Sequence, residues 1–421
     1  SLDFDAVVPP FVRDGLRRIC LEIDDGHIRP EARPSIAFNL QSRLESRVHL
    51  AKLYALHPEI DSEPVDRPVF ILGLNRTGTT FLHRMLEASG AFAAPHVEEQ
   101  NLLPSAPQLA SPDAAKAAER LDFFRSQLKE LTEAFAGIHE MGIGMAEEDM
   151  CAHAHSFCSL EYDILYGLPQ YREWLETEAD VGDKVYAEHR KWMQMVAWVR
   201  RQRGEAAARW CFKMPWHVRH LGSLLKAYPD AILVHTHRPI MEVAGSWCSL
   251  VERQRERNVE EMDRDALGAQ QLDTLAKMLG AGTAYRVAHP EVAPRWLDVH
   301  FTDIISSPAQ VAAKVIAHAG MRVERETSAA LEEYVQASRK KRTHAKLHKY
   351  DSRHYNLDES AFKSAEFRAY EADLASRAGS GSGLLPGLLP ADLGQRAPQI
   401  AALGFAAIAA AAAGLAATYS F

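Results

Sequence analysis

The sequence predicts an α/β fold: a parallel sheet flanked by helices, with a helical N-terminal layer and a large helical insertion. Two segments, 68–86 and 231–247, each place a short apolar run before a turn and a helix. Such apolar runs are typical of buried parallel strands. The insertion is predicted at about 112–205, where Ala, Leu, Glu, Lys and Arg, all strong helix formers, dominate and aromatic residues interleave.

Composition excludes several classes of protein. The chain has 421 residues, 47% of them hydrophobic and 25% charged, which argues against a disordered or fibrous protein and allows two or three domains. The net charge of −8 argues against a nucleic-acid partner. Five scattered cysteines, an odd number, favour a reducing compartment, so we expect a cytoplasmic protein without a disulfide framework.

Residues 1–66 predict the helical N-terminal layer. The apolar residues of 11–19 and 36–56 recur at helical spacing, which indicates one short and one long amphipathic helix. Three prolines then mark the approach to the first strand: Pro58, Pro64 and Pro68. We expect these helices to form a lid or a packing layer.

The stretch 68–86 predicts a phosphate-binding turn. Its apolar run 69–72 indicates a strand, Gly73 permits a sharp turn, and the apolar positions of 81–86 recur at helical spacing. A loop between a strand and a helix N-terminus directs backbone N–H groups and the positive end of the helix dipole at one point. Hydroxyl and guanidinium donors can add to this site, so the candidate phosphate ligands are Arg76, Thr77, Gly78, Thr79 and Thr80.

The loop departs from the Walker A motif of P-loop nucleotidases at one position. Thr79 stands where that motif, Gly-x4-Gly-Lys-[Ser/Thr], has its lysine, so the lysine contact to the β- and γ-phosphates is missing. The loop instead resembles the 5′-phosphosulfate-binding loop of sulfotransferases that use 3′-phosphoadenosine 5′-phosphosulfate (PAPS). The resemblance implies PAPS as the donor and a P-loop-like sheet. An ordinary strand-to-helix turn is the alternative that the loop alone leaves open.

A second anion site is predicted after the apolar run 231–234. Arg238 follows this strand and Ser246 lies two turns into the next helix, so both can converge on one anion. Their eight-residue spacing resembles the pair by which sulfotransferases hold the 3′-phosphate of the donor. The family often has Arg-Asp-Pro here, whereas this chain has Arg238 directly before Pro239. We therefore expect a different local turn but the same phosphate contact.

Glu99 is the first candidate for a general base. A carboxylate at the carboxyl edge of a parallel sheet can accept a proton from an attacking hydroxyl. A solvent-exposed acidic pair with Glu98 is the alternative. The segment from Glu98 to Pro104 resembles the Glu-Glu-x-x-x-x-Pro stretch of tyrosylprotein sulfotransferases, which implies Glu99 as the base.

A short strand predicted at 209–213 ends at Lys213. The Lys-x-Pro-x-His sequence of 213–217 is similar to the family's Lys-[Ser/Thr]-Pro-x-His pattern. This similarity implies that Lys213 is a catalytic cation facing the bridging oxygen of the donor. His217 is then either an acceptor-side residue or a competing general base, and a histidine packed on a helix face is the alternative.

The segment 151–158 has the residue types of a zinc site. On a helix Cys151, His155 and Cys158 can share one face, whereas His153 points away from it. Zinc sites with such short spacings usually need a second pair of ligands from a distant segment, and none is evident. We therefore predict packing or acceptor contact for this segment, and no metal.

The C-terminal part carries a basic run and an apolar tail. Arg339 and Lys340 can close over the nucleotide, and a solvent-exposed face is the alternative. Residues 376–421 predict a flexible linker and an uncharged, Ala-rich helix at 397–421, long enough to cross a bilayer but without a flanking basic cluster. An interfacial or subunit-packing helix, a membrane anchor and disorder are the alternatives, which leaves membrane contact and a homo-oligomer open.

Residues from about 30 to 375 resemble PAPS-dependent sulfotransferases of the bacterial and tyrosylprotein type, with the α/β domain at 67–375. The resemblance implies transfer of a sulfuryl group from PAPS to a hydroxyl or amine acceptor, with 3′-phosphoadenosine 5′-phosphate as co-product and no metal. The aromatic insertion and apolar tail suggest a lipophilic alcohol or a lipid-linked acceptor. A P-loop-like kinase and a catalytically inactive, membrane-tethered nucleotide-binding protein are the alternatives.

Overall fold

The centre of the protein is a five-stranded parallel sheet with strand order β2-β3-β1-β4-β5. The computed structural model describes residues 4–101, 122, 125–126, 128–129, 141–205, 208–342 and 351–378. The strands are β1 Val69–Leu72, β2 Phe92–Ala93, β3 Arg209–Lys213, β4 Ile232–His237 and β5 Trp296–His300. The predicted α/β fold is confirmed.

Helices cover both faces of this sheet. In chain order they are α1 Phe4–Val7, α2 Pro10–Asp24, α3 Arg33–Leu56, α4 Thr79–Ala88, α5 Val97–Asn101, α6 Met150–Ala154, α7 Glu161–Tyr166, α8 Pro169–Thr177, α9 Val181–Gln202, α10 Leu221–Ala227, α11 Ile240–Arg255, α12 Arg264–Ala288, α13 Phe301–Ser306, α14 Pro308–His318, α15 Arg325–Arg342 and α16 Ala365–Ala378. Short 3₁₀ turns lie at Pro30–Ala32, Pro58–Ser62, Pro215–Arg219, Pro290–Arg295, Ser352–Tyr355 and Glu359–Phe362.

The central strand β1 explains how the two faces are built. All four of its residues are buried, and successive side chains of a strand point to opposite faces. Val69 and Ile71 belong to a core shared with α4, α14 and α15. Phe70 and Leu72 belong to a second core shared with the helices of the insertion and with α11 and α12. Because both faces are covered, the strand is apolar throughout rather than alternating.

Strand register brings the predicted site residues to one edge of the sheet. Ile71 pairs with Lys213 of β3, and Leu72 pairs with His235 of β4. The strands are parallel, so their carboxyl ends, and the loops that follow them, lie at the same edge. The loop after β1, the end of β3 and the segment after β4 therefore meet there.

Buried ion pairs attach the N-terminal helices to the insertion. Arg43 of α3 donates from Nη2 to Oε1 of Glu161 at 2.7 Å, and Arg47 donates from Nη1 to Oε2 of Glu188 at 2.7 Å. Both arginine side chains are only 5% exposed, so each charge needs its partner. These contacts agree with the packing layer expected for residues 1–66.

Part of the predicted insertion and the whole tail lie outside the described residues. The insertion from 141 to 205 is mainly helical, as expected, from α6 to α9. Of the stretch 112–140 only five residues are described, and the linker and Ala-rich segment at 379–421 are not described at all. None of the helices within the described ranges has both the length and the apolar character needed to cross a membrane.

Gly73 sets the turn between β1 and the loop, and we expect its substitution to destabilise the protein. Its φ of +120° is rarely adopted by residues with a side chain, and a Cβ there would lie 2.5 Å from the carbonyl oxygen and from Oγ1 of Thr236. Gly73→Ala should therefore lower the free energy of unfolding by about 3 kcal/mol, measured by urea denaturation.

Gly26→Ala is the matched control for this prediction. Gly26 also has a positive φ, +97°, but a Cβ there would have no neighbour within 4 Å. In Gly26→Ala the free energy of unfolding should fall by only about 1 kcal/mol, the cost of a positive φ for a residue with a side chain. Equal losses in the two variants would contradict the proposed steric role of Thr236.

Candidate active site

The loop after β1 leads directly into the N-terminus of α4. Gly78 is the N-cap residue of α4 with a φ of +90°, and Thr79 is the first residue of the helix. A Cβ on Gly78 would lie 3.1 Å from Cδ1 of Ile304 and 3.2 Å from Cδ2 of Phe301, so α13 packs closely against the loop. The first backbone N–H groups of α4 have no partners inside the helix and can bind an anion.

The three threonines of the loop have different surroundings. Thr77 is buried, and its Oγ1 donates to the carbonyl oxygen of Leu74 at 2.6 Å and lies 2.6 Å from Oγ1 of Thr236. This hydroxyl therefore attaches the loop to β4. Thr79 is also buried. The hydroxyl of Thr80 contacts Lys213, which the sequence predicts as a catalytic residue.

Lys213 lies fully buried at the end of β3. Its Nζ donates to Oγ1 of Thr80 at 3.2 Å and to Oε1 of Glu148 at 2.5 Å. Burying an ammonium group is costly unless it is paired, and Glu148 supplies the charge. The side chain of Glu148 is 18% exposed, so it is accessible from outside. The structure thus places a cation and a carboxylate together beside the phosphate loop.

Arg76, Arg238 and Ser246 also meet at this edge. Arg76 has a φ of +67°, and its Nε donates to Oγ of Ser246 at 3.1 Å. Arg238 donates from Nη1 to the carbonyl oxygen of Arg76 at 2.9 Å and from Nε to Oε2 of Glu242 at 2.9 Å. The guanidinium of Arg238 lies 4.2 Å from the ring centre of Phe301, an attractive cation–π contact. The two predicted phosphate sites are therefore contiguous.

Glu99 has a different set of partners. Arg200 donates from Nε to Oε1 at 2.8 Å and from Nη2 to Oε2 at 2.6 Å, and the backbone N–H of His96 donates to Oε2 at 2.8 Å. Burial raises the pKa of this carboxyl, but the hydrogen bonds and charge of Arg200 outweigh it and leave the pKa below its ordinary value. Glu99 is thus an ionised, fully engaged carboxylate, and its assignment as the base stays a prediction.

His217 lies in a buried network rather than on an exposed helix face. Its Nδ1 is 2.7 Å from the hydroxyl of Tyr186, and its Nε2 is 3.2 Å from Oδ1 and 3.0 Å from Oδ2 of Asp149. The edge of its ring contacts Phe70 of β1 at 4.9 Å. Both nitrogens therefore have protein partners, and the proposed role of His217 as a base stays untested.

The remaining predicted residues lie on α15 or in the segment 151–158. Arg339 lines a cavity of about 40 Å³ together with Phe81 of α4, while Lys340 is exposed on the same helix. In the second segment, burial raises the pKa of the Cys158 thiol to about 12, and its Sγ lies 3.7 Å from the carbonyl oxygen of Phe11. Nε2 of His155 lies 2.6 Å from the carbonyl oxygen of Gln100. The expected absence of a metal at 151–158 stays a prediction.

Comparison with known proteins decides the family. The family model described as the sulfotransferase family matches residues 68–325, which is more than half of the chain. The chain belongs to the sulfotransferase family. The match covers the loop after β1, the end of β3 and the segment after β4, but not α15 beyond residue 325.

Solved structures share the fold of this sulfotransferase. The sulfotransferase STF1 from Mycobacterium tuberculosis is 24% identical, with a TM-score of 0.69 over 87% of this chain and 93% of that chain. The sulfotransferase STF9 from Mycobacterium avium is 22% identical, with a TM-score of 0.72 over 89% of this chain and 92% of that chain. No curated protein sequence matches the chain.

The sequence alone assigned no catalytic role and no partner to Glu148, although the stretch 144–149 resembles the acceptor-side insertion of bacterial sulfotransferases. Glu148 belongs to the acidic run 147–149, and a short acidic run is usually a solvent-exposed face. The contact with Lys213 crosses 65 positions of sequence, and no spacing rule connects the two. The available signal was the chemical one: a lysine buried at a strand end requires a carboxylate partner.

We expect Glu99→Gln to destabilise the sulfotransferase because it leaves the mostly buried Arg200 without its bidentate partner. The free energy of unfolding should fall by about 3 kcal/mol at neutral pH. The folded-state pKa of Glu99 is depressed, so its contribution is complete above the ordinary value of 4.5 and is lost as the pH falls through the folded-state pKa. The wild type and the variant should therefore converge in acid.

Glu205→Gln is the control, measured by urea denaturation across the same pH range. Glu205 lies 3.8 Å from Nε of the same arginine but is 47% exposed. Its replacement should change the free energy of unfolding by less than about 0.5 kcal/mol. A similar loss in both variants, or a loss for Glu99→Gln that does not depend on pH, would contradict the buried ion pair.

Proposed function

We propose that the protein transfers a sulfuryl group from PAPS to a hydroxyl or amine acceptor. The observation that carries this proposal is the contact between the two anion sites: Arg76 of the phosphate loop donates to Ser246, and Arg238 donates to the backbone of Arg76. A donor with a phosphosulfate at one end and a 3′-phosphate nearby fits two adjacent anion sites. AMP would occupy only the first of them.

The 5′ end of the donor would lie between the N-terminus of α4 and Lys213. When the acceptor attacks sulfur, the bond from sulfur to the bridging oxygen breaks and negative charge develops on the departing 5′-phosphate. Nζ of Lys213, the guanidinium of Arg76 and the first N–H groups of α4 are the cationic and dipolar groups available to stabilise that charge. Preorganised donors of this kind are a major source of catalysis in group transfer.

The acceptor must lose a proton as it attacks, and we propose that the carboxylate of Glu148 accepts this proton as the general base. Its carboxylate lies 2.5 Å from Nζ of Lys213, the cation proposed to face the departing phosphate, and this proximity supports Glu148 as the base. Glu99, the base implied by the family resemblance, instead has both oxygens held by Arg200. As the acceptor binds, Lys213 would exchange its contact with Glu148 for one with the bridging oxygen.

The acceptor is proposed to be a lipophilic alcohol or a lipid-linked molecule, as the aromatic-rich insertion suggests. Arg339 and Lys340 on α15 remain candidate nucleotide contacts, because α15 packs on α4 through the rings of Tyr334 and Phe81, 5.7 Å apart.

Binding of 3′-phosphoadenosine 5′-phosphate tests the donor assignment. Without magnesium this bisphosphate should raise the melting temperature more than AMP does, because only the bisphosphate fills both anion sites. Arg238→Ala should weaken bisphosphate binding about 10- to 100-fold and abolish the preference over AMP, since it removes a charged hydrogen-bond donor. Ser246→Ala should act in the same direction.

Arg253→Ala is the matched control, since Arg253 lies on α11 with Ser246 but is 53% exposed and pairs with Glu256. It should bind the bisphosphate as the wild type does. Stabilisation by ATP that appears only with magnesium, and none by the bisphosphate, would favour the kinase alternative. Bisphosphate binding without transfer from PAPS to any acceptor would favour an inactive binding protein.

Glu148→Gln should reduce sulfuryl transfer by about 100- to 10,000-fold, because an amide cannot accept the acceptor's proton. The measurement is release of 3′-phosphoadenosine 5′-phosphate from PAPS in the presence of a panel of phenols and alcohols. Bisphosphate binding should persist, which shows that the variant is folded. Glu99→Gln, assayed below its own melting temperature, should keep most of the transfer rate. The opposite order of rates would assign the base to Glu99.

A further inference from the structure

Near Lys213 and Glu148 lies a buried group of histidine and aspartate side chains to which the proposed transfer step assigns no part. We call it the His–Asp cluster; its members are Asp149, His153, His189 and His217. Their exposed fractions are 0%, 2%, 0% and 0%, respectively. They come from three segments: α6 with its N-cap residue, α9, and the 3₁₀ turn after β3. Buried polar groups that converge in this way need a common partner.

The polar atoms of the cluster face one another. Oδ2 of Asp149 lies 3.0 Å from Nε2 of His189 and 3.0 Å from Nε2 of His217. Ligand atoms of Asp149, His153 and His189 all lie within 4.8 Å of one another. Ligands about 2.0–2.1 Å from a tetrahedral Zn²⁺ lie roughly 3.3 Å apart. The two 3.0 Å distances from Oδ2 of Asp149 to the histidine nitrogens are close to this separation.

The hydrogen-bond pattern favours a metal over a shared proton. Among the residues that the structure describes, Oδ2 of Asp149, Nε2 of His153 and Nε2 of His189 have no aligned hydrogen-bond partner. A proton network can pair Asp149 with its two nearest histidines. It leaves Nε2 of His153 buried and unsatisfied, at a cost of about 1–3 kcal/mol. One cation at the centre satisfies all three atoms together.

Tyrosine hydroxyls contact Nδ1, the ring nitrogen away from the cluster interior, in two of the histidines. Nδ1 of His189 is 2.7 Å from the hydroxyl of Tyr228, and Nδ1 of His217 is 2.7 Å from the hydroxyl of Tyr186. Hydrogen bonds to the second ring nitrogen orient metal-ligating histidines and fix their tautomer. With Nδ1 protonated toward tyrosine, each Nε2 presents a lone pair to the interior of the cluster.

A second histidine–aspartate group differs from the first in the charge beside its carboxylate. His235, His237 and Asp298 also lie within 4.8 Å of one another. Arg286 donates to both oxygens of Asp298, at 2.6 and 2.7 Å, so this carboxylate already has a full positive charge beside it. Within the described part of the chain, the side chain of Asp149 pairs with His189 and His217, and with no arginine or lysine.

We propose that Asp149, His153, His189 and His217 bind a divalent transition-metal ion, with Zn²⁺ the best match. Nitrogen and carboxylate ligands in a four-coordinate set are typical of zinc. The site is enclosed and supplies four protein ligands, so the metal is structural rather than catalytic. It would join α6, α9 and the turn after β3.

The metal would also position the reacting pair. Asp149 directly follows Glu148, and His217 lies four residues after Lys213. One ion bound by Asp149 and His217 therefore fixes both segments that carry the catalytic charges. This consequence for activity rests on the proposed function, whereas metal binding itself does not.

Metal content tests the site directly. The 421-residue chain, expressed with added zinc and purified without a histidine tag or chelator, should hold about one zinc per chain by elemental mass spectrometry. Prolonged chelation should lower the melting temperature, and added Zn²⁺ should restore it. Co²⁺ added to the metal-free protein should give the visible absorption of a tetrahedral site.

Variants locate the metal. His153→Gln and His189→Gln should each lower the zinc content about tenfold. His155→Gln is the matched control because it is buried two residues from His153 but contacts the carbonyl oxygen of Gln100. It should retain its zinc.

Two results would overturn the proposal. One is a wild-type chain that holds no stoichiometric transition metal and whose melting temperature does not change with Zn²⁺ or Co²⁺. The other is zinc that persists in both His153→Gln and His189→Gln. Neither result depends on sulfuryl transfer. Bisphosphate binding tests the proposed function but not the metal site, so failure of one proposal can be told from failure of the other.

Discussion

The buried ammonium group of Lys213 is the constraint on which this site depends. A charge at the end of an interior strand, with the side chain fully buried, is unstable unless a carboxylate reaches it. That carboxylate, Glu148, comes from the insertion, so the insertion must fold back over the carboxyl edge of the sheet. The requirement to neutralise one lysine thus brings the insertion against the carboxyl edge of β3.

The phosphate loop is held by β4 as much as by its own strand. Oγ1 of Thr236 contacts Thr77 and the carbonyl oxygen of Leu72, while Gly73 leaves room for the backbone of Thr236. Arg238, two residues further, donates to the backbone of the loop. One strand, β4, therefore positions both the loop after β1 and Arg238, the two groups that are proposed to bind the donor.

The sequence predicted those features of the site that depend on residues close together in the chain. The strand-to-loop-to-helix transition at 68–86 and the pairing of Arg238 with a serine two turns later are readable because each depends on residues close in sequence. The partners of Glu99 and Lys213 were not readable. Arg200 is 101 positions from Glu99, and Glu148 is 65 positions from Lys213. Many charged residues could have been these partners, and only the packing of the folded chain selects among them. Cys158 and His155 similarly had the residue types of a zinc site, but Sγ of Cys158 and Nε2 of His155 each lie against a backbone carbonyl from a distant segment.

Asp149 links Glu148 to the buried His–Asp cluster. As the N-cap residue of α6, an aspartate would ordinarily accept hydrogen bonds from the first turn of its own helix, yet it makes no such side-chain cap. Its carboxylate turns instead toward His189 and His217. The helix gives up a local stabilisation of about 1 kcal/mol so that the residue after Glu148 is anchored in the interior. Glu148 contacts Lys213, whereas the next residue, Asp149, contacts the buried histidines. Two adjacent acidic residues therefore link the carboxyl end of β3 to the buried cluster.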